Sequence, residues 1–158
     1  MILVFSLGTP CGRPTLPSEL RLKIRGVDAP QALSLAPGVG LAVATLTGLL
    51  PNLTDEQGRT FGLFKLNAYQ NLLHAASAAW AFTAAFTSRR IAIDFLRIFG
   101  TLYFIDGLMG LAVGSGYLDL GIVQFGVLDL PLSFKALTSF PHLLLGGIGC
   151  AGGFLSKR

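Results

Sequence analysis

The chain of 158 residues is 52% hydrophobic and only 13% charged, and its formal net charge is +4. Soluble domains carry about a quarter charged residues, so this composition argues against a soluble domain and for a protein that lies in lipid. The few basic residues stand in small clusters between apolar blocks, which excludes a nucleic-acid-binding face. Two cysteines without ligand spacing exclude a disulfide framework and a cysteine metal site.

The first 31 residues are interrupted by four prolines and carry a short basic segment, ELRLKIRG, at residues 19–26. In this segment apolar residues alternate with arginine and lysine, which is typical of a strand or of an amphipathic strip on a membrane surface. We therefore predict that residues 1–31 form a Pro-rich basic arm on the cytoplasmic side. Packing on the rest of the chain, or on a partner subunit, would hold it.

Four apolar segments follow, at about residues 32–50, 66–86, 91–113 and 139–155. Each approaches the roughly 20 residues that a helix needs to cross about 30 Å of hydrocarbon, and strand-like alternation is absent. The sequence therefore predicts an all-α membrane domain over residues 32–158 with four transmembrane helices. Pro37 predicts a kink or a late start in the first of them.

Lysine and arginine are distributed unevenly around these segments. They cluster before the first segment, between the second and third, and after the fourth, whereas the other connections mix basic with acidic residues. The positive-inside rule therefore predicts both termini in the cytoplasm and the four helices as two tandem helical hairpins.

The two hairpins resemble each other in sequence. The motif FGLF precedes a helix with His74, and FGVL precedes a helix with His142, so the chain reads as two parallel repeats. The repeat predicts related places for the two histidines, near the outer ends of the second and fourth helices. We expect Asn67 to cap the second helix and Pro141 to lie in the first turn of the fourth, which makes His142 the shallower histidine.

Polar side chains within apolar segments are costly and are therefore candidates for function. Asp106 lies near the outer end of the third helix, and Asn71 and His74 share a face of the second because they are three residues apart. We expect Asp106 to contact His74 or His142. The contact is either an interhelical hydrogen-bond clasp, which we favour, or a proton-linked or ligand-binding site open to the outside.

The same histidines offer an alternative site for a haem or a chlorophyll-type pigment. Alanines flank His74 and leave room for a flat macrocycle, and histidines on two helices can ligate one haem. No spacing is diagnostic of such a site, so we expect no cofactor. Two histidines without a carboxylate at ligand spacing also predict no metal site.

Small residues recur at helix-packing spacings in the last three segments. Spacings of four or seven residues place them on one helix face, where they let two backbones approach closely. The sequence leaves open whether these faces meet helices of this chain or of a partner. The residues are Gly100, Gly107, Gly110, Gly114, Gly149 and Gly153, with the pair Ala75 and Ala79 on the second helix.

Three stretches, FGLFKLNAYQNLLH, RRIAIDFLRIFGTLYFIDGLMGL and PHLLLGGIG, resemble an uncharacterised bacterial membrane family, domain of unknown function four-three-eight-three. The resemblance covers roughly residues 33–156. It is carried by the Asn71–His74 spacing, the stretch from Arg97 to Tyr103 and the stretch from His142 to Gly146. It implies four helices in a bacterial membrane and no established activity.

The sequence contains no phosphate loop, nucleophile elbow or pair of catalytic carboxylates, so we do not expect an enzyme. We expect a non-catalytic accessory or structural subunit that packs against other subunits of a photosynthetic or respiratory complex. Its location would be the bacterial cytoplasmic membrane or a photosynthetic membrane. The alternatives are a tetrapyrrole-binding protein that uses His74 and His142, and a small proton-coupled carrier that uses Asp106.

Overall fold

The structure, a computed structural model, describes residues 28–50, 53–57, 59 and 66–157. Within these residues the chain is all-α. Most of the predicted arm, residues 1–27, lies outside the described residues, and so does the FGLF motif of the first repeat. The helices are α1 (Ala29–Leu49), α2 (Ala68–Thr87), α3 (Arg89–Val113), α4 (Gly121–Phe125) and α5 (Leu132–Leu155).

Helix α1 begins earlier than the predicted span because its first turn is capped by a reciprocal pair of hydrogen bonds. The side chain of Asp28 accepts from the N–H of Gln31, and the side chain of Gln31 accepts from the N–H of Asp28. Pro30 suits this first turn, where its missing N–H costs nothing. The helix then continues through Pro37, so the late start that Pro37 predicted is wrong.

Helix α2 begins with the same device. The side chain of Asn67 accepts from the N–H of Gln70, and the side chain of Gln70 accepts from the N–H of Asn67, each at 2.9 Å. This confirms Asn67 as the cap and adds Gln70 as its partner. At the other end Ser88 both ends α2 and caps α3, so the two helices are joined by a single residue.

One end of the bundle gathers the start of α1, the α2–α3 connection and the end of α5. The guanidinium of Arg89 lies 3.0 Å from the carboxylate of Asp28 and also donates to the carbonyl of Lys157 at 3.0 Å. Gln31 on α1 donates to the carbonyl of Ala85 on α2 at 2.9 Å. These bonds tie α1, α2, α3 and α5 together at this end.

The closest packing is between α3 and α5, where glycines allow backbone to meet backbone. A Cβ atom on Gly149 would stand 2.8 Å from the Cα of Gly100, and one on Gly153 would stand 2.7 Å from the N of Arg97. Any larger side chain at these positions would force the helices apart. The glycines that lie between the two helices are Gly100, Gly107, Gly110, Gly146, Gly149 and Gly153.

Gly114 differs from the helix packing expected of it. It ends α3 in the left-handed region, with φ of +82°, and its N–H donates to the carbonyl of Gly110 at 2.9 Å. Its α-carbon lies against Leu128 of the following segment, and the nearest helical neighbour is the side chain of Lys135. We call residues 114–131, which include the short helix α4, the α3–α5 loop.

Helix α5 begins at Leu132, well before the predicted span, so the placement of Pro141 in its first turn is wrong. The proline at the start of α5 is instead Pro131, which directly precedes the helix with φ of −54°. Pro141 lies inside the helix and cannot donate to the carbonyl of Leu137. His142 therefore lies deep in its helix, not at a shallow level near its start.

The interior is built on an aromatic column along α3. The rings of Phe95 and Phe99 stack with centroids 5.0 Å apart, Phe99 and Tyr103 follow at 4.1 Å, and Trp80 of α2 meets Phe95 edge-on. Alanines of α2 pack against this column. Among the described residues, α1 and α3 are long and apolar enough to cross a membrane.

Candidate functional site

A hydrogen bond between a buried carboxylate and an imidazole joins α3 to α5. Asp106 is 3% exposed, and its Oδ2 atom lies 2.6 Å from Nδ1 of His142. A carboxylate only accepts hydrogen bonds, so Nδ1 of His142 carries the proton. The close approach of the two helices sets this distance, because the α-carbon of Gly107 packs directly on Leu143, the next residue after His142.

The other oxygen of Asp106 holds the α3–α5 loop. Its Oδ1 atom accepts from the backbone N–H groups of Tyr117 at 2.7 Å and of Leu118 at 2.9 Å. Bonds of this kind to a charged acceptor are stronger than neutral ones. The loop comes so near that a Cβ on Gly116 would lie 2.8 Å from both carboxylate oxygens. Asp106 therefore fixes α5 and the loop at once.

Tyr117 adds a second attachment of the loop to α3. Its hydroxyl donates to the carbonyl of Leu102 at 2.9 Å. Burial, and after it the negative charge of Asp106, raise the pKa of the Tyr117 phenol above its ordinary value. The phenol therefore stays protonated and can donate over the whole physiological range of pH.

His74 lies beside this pair without joining it. Its ring centroid is 6.3 Å from that of His142, and the two rings are perpendicular. The residue is 8% exposed, and its Nδ1 atom is buried with no hydrogen-bond partner among the described residues. Of the two contacts expected for Asp106, the structure contains the one with His142 and not the one with His74.

Asn71 is the member of the predicted cluster that lies apart. Its Oδ1 atom is buried and faces Gly48 of α1, and it too has no hydrogen-bond partner in the described part of the chain. Helical spacing predicted that Asn71 and His74 share one face of α2. In the structure Asn71 faces α1, whereas the ring of His74 lies beside His142 of α5. The structure thus brings three of the four predicted residues together.

A cavity of about 640 Å³ opens over these residues, between α1, α2, α3, α5 and the α3–α5 loop. His74, Asp106 and His142 line one part of it. Most of the remaining wall is apolar, and Gln70 and Asp119 form a polar edge, where the Gln70 amide donates to the Asp119 carboxylate at 2.7 Å. Apolar lining residues include Leu41, Ala44, Leu73, Leu128, Phe134 and Leu145.

Sequence reasoning missed several polar residues of this region. Gln70 was recognised neither as part of the α2 cap nor as the partner of Asp119. The hydroxyl of Tyr103, which donates to Ser77 at 2.9 Å, was also missed. Tyr103 stands 5.1 Å from the ring of His142, edge to face. The Asn-x-x-Gln pattern signals the cap, whereas no local pattern signals the two long-range bonds.

The described residues place few side chains where they could bind a metal ion together. Across residues 28–50, 53–57, 59 and 66–157, no three His, Cys, Asp or Glu side chains are placed to hold a metal ion. His74 and His142 are the two side chains that could face a cofactor in the cavity, and the Nδ1 atom of His142 is already occupied by Asp106.

The chain belongs to the family described as "Domain of unknown function (DUF4383)", whose family model matches residues 31–155. This confirms the resemblance found in the sequence. The matched region contains Asn71, His74, Asp106 and His142, and it contains all the described helices apart from the first two residues of α1. No curated protein and no solved structure matches the chain.

Proposed function

We propose that this member of the family is an integral membrane protein with four spanning helices, α1, α2, α3 and α5. Its role is non-catalytic: it is an accessory or structural subunit that packs against other membrane subunits, in a photosynthetic or respiratory complex of a bacterial membrane. Both chain ends lie on the cytoplasmic side.

The observation that carries the membrane location is the inverted polarity of the bundle. Asp106, His74 and Ser77 are buried, whereas Leu72 and Phe86 are each 69% exposed. In water each such exposed side chain would forgo about 1.5–3 kcal/mol of burial energy, whereas lipid removes that cost. Exposed apolar surface on this scale is typical of membrane-facing proteins and rare on soluble monomers.

The same inversion is found in α2 and α5, the other two long helices of the bundle. Polar residues near the middle of each helix face inward: His74 and Ser77 are buried on α2, and Ser139 is buried on α5. Their outward faces carry large apolar side chains, including Phe140 and Phe154 on α5. An average over the helix therefore understates how apolar its lipid-facing surface is.

Charge supports the orientation. The end of the bundle where α1 starts and α5 finishes carries Arg89, Arg90 and Lys157. The opposite end carries the carboxylates of Asp119 and Asp129 in the α3–α5 loop. Basic residues concentrate on the cytoplasmic side of membrane proteins, so the first end is assigned to the cytoplasm.

The outward face of α2 supports the accessory role. Most of the glycines that we expected to pack helices together lie between α3 and α5 of this chain. Ala75 and Ala79 instead are exposed, four residues apart on one face of α2. Such a pair lets another helix approach closely, so this face is where we expect a partner subunit to pack.

The location is tested by fractionation. The protein should remain in the membrane pellet after carbonate washing, and reporters fused to either terminus should show both ends in the cytoplasm. Recovery in the soluble fraction, or reporters on opposite sides, would contradict this part of the proposal.

The accessory role is tested in native gels after extraction from the source membrane with a mild detergent. Wild-type protein should migrate in a complex larger than its own mass of 16.7 kDa, and Ala75→Ile with Ala79→Ile should release it. Ala151→Ile adds the same bulk to an exposed position on α5 and should leave the complex intact. A wild-type protein that always migrates as a monomer would refute the role.

A further inference from the structure

The wall of the cavity contains a histidine that makes no hydrogen bond to any other described residue. His74 is more than nine-tenths buried, lines the cavity, and has an Nδ1 atom without a hydrogen-bond partner among the described residues. Buried polar side chains are nearly always hydrogen-bonded, so an imidazole without a partner in the wall of an open cavity points to a partner from outside the chain.

The two carboxylates of the cavity, in contrast, are engaged, and Asp119 accepts from the Gln70 amide and from the N–H of Gly121. Asp106 accepts from His142, Tyr117 and Leu118, so each carboxylate oxygen already has its donors. A cation would have to compete with these bonds, and an anion would meet a negative charge. The remaining lining is mainly apolar, so the cavity suits a molecule without net charge.

We propose that this cavity binds a neutral amphipathic molecule from the lipid phase, with a carbonyl or hydroxyl oxygen at His74 and an apolar body along Leu41, Leu73 and Leu145. A neutral imidazole carries one N–H donor and one acceptor nitrogen, so either oxygen type can form a hydrogen bond with the ring of His74. The proposal rests on the membrane location proposed above, because lipid is the source of the ligand.

Size and access fit such a ligand. A volume of about 640 Å³ lies within the usual range of small-molecule sites, and it accommodates a ring with a short chain. Among the helix pairs that pack together, α1 and α5 touch least. Both line the cavity, α1 with Gly40 and Ala44 and α5 with Ser139 and Leu145. The seam between them is the expected route from the bilayer.

The test measures binding to purified protein in detergent. Decylubiquinone is the carbonyl probe, and its binding is followed by quenching of the single tryptophan, Trp80, which lies on the same helix as His74. 1-Decanol, the hydroxyl probe, and decylbenzene, which has no oxygen, are added as competitors. Wild-type protein should show saturable quenching that decanol reverses and decylbenzene does not.

Three variants assign the site. His74→Phe removes the nitrogen atoms but keeps a ring, and should weaken binding about tenfold, the equivalent of about 1.4 kcal/mol, while thermal stability is retained. Gly40→Leu places a side chain in the cavity, where a Cβ meets nothing within 4 Å, and should abolish binding in a folded protein. Ser77→Ala removes the bond to Tyr103 one turn from His74 and should bind like wild type.

Each outcome decides a different part of the proposal. Equal affinity in wild type, His74→Phe and Gly40→Leu overturns the site, and so does the absence of saturable binding by either oxygen-bearing probe. A Soret band in the purified protein overturns the ligand class in favour of a tetrapyrrole. A protein found outside the membrane refutes the proposed location, and the binding comparison can still be read in that case.

Discussion

Replacing Asp106 with asparagine removes the charge that joins α3, α5 and the α3–α5 loop while keeping nearly the same shape. The amide oxygen can still accept from the N–H groups of Tyr117 and Leu118, now as neutral hydrogen bonds. The amide nitrogen would face Nδ1 of His142 at the present 2.6 Å contact. Because both are then donors, the imidazole must move its proton to the other nitrogen.

The magnitude follows from the three bonds. A hydrogen bond to a charged group contributes about 1.5–3 kcal/mol and a neutral one about 0.5–1.5 kcal/mol, so each bond loses about 1 kcal/mol. A neutral amide costs less to bury than a carboxylate, which returns roughly 1 kcal/mol. We therefore expect Asp106→Asn to lower the free energy of unfolding by about 2 kcal/mol, which lowers the Tm by about 4–8 °C in a chain of this size.

Two assays follow the change, both on protein in detergent. Thermal unfolding followed by circular dichroism gives the Tm. Chymotrypsin, which cleaves after aromatic residues, reports the α3–α5 loop through Tyr117 and Phe125, and cleavage there should accelerate. Asp129→Asn alters an exposed carboxylate of the same loop and should leave both readouts unchanged. If Asp106→Asn matches wild type in Tm and in cleavage, Asp106 does not hold the loop.

Three further substitutions test the fold. Asn67→Ala removes the cap of α2 and should cost about 1 kcal/mol of stability, measured as a fall in Tm; a Tm equal to wild type would contradict the capping box. Gly149→Leu should prevent α3 and α5 from packing and yield aggregated protein in size-exclusion chromatography, whereas Gly40→Leu, which meets open space, should elute normally. Gly116→Ala should loosen the loop, because its Cβ would press on Asp106; chymotrypsin cleavage at the wild-type rate would show that the loop tolerates it.

The sequence predicted best those features that depend on local pattern. Asn67 caps α2 because a short polar side chain ahead of an apolar helix satisfies its first N–H groups, and that chemistry is readable within one turn. Glycines four apart predicted a close helix contact, and Gly149 and Gly153 are found in one. Local pattern could not tell that Gly114, at the same spacing, would end its helix instead.

The start of α5 shows why other features could not be predicted from the sequence. Pro141 follows Ser139 as a helix-starting proline would, and nothing local distinguishes it from Pro131, which precedes the real start. Moving the start to Leu132 changes the depth of His142. The choice between His74 and His142 as the partner of Asp106 depends on that depth and on the rotation of α5, which packing against Gly100 and Gly107 determines.

The conformation of the α3–α5 loop could not be predicted from the sequence either. It turns at Leu120, a non-glycine residue with φ of +61°, which sequence preference would never suggest. Its position comes from the hydrogen bonds of Tyr117 and Leu118 to Asp106, a residue of the preceding helix. These bonds join residues 11 and 12 apart in sequence, beyond the spacings of helix caps and tight turns, so no local motif indicates them.

The two interpretations of the polar cluster, a helix clasp and a ligand site, turn out to concern different atoms. Asp106 and the Nδ1 atom of His142 satisfy each other and the loop, so they have the properties of a clasp. His74 is also buried, but its Nδ1 atom has no hydrogen-bond partner among the described residues. A purely structural cluster would gain stability by replacing that imidazole with an apolar ring, because an unpaired buried polar group costs about 1–3 kcal/mol. The comparison of His74→Phe with Asp106→Asn therefore distinguishes the two roles: a binding residue loses affinity and keeps stability, whereas a clasp residue loses stability first.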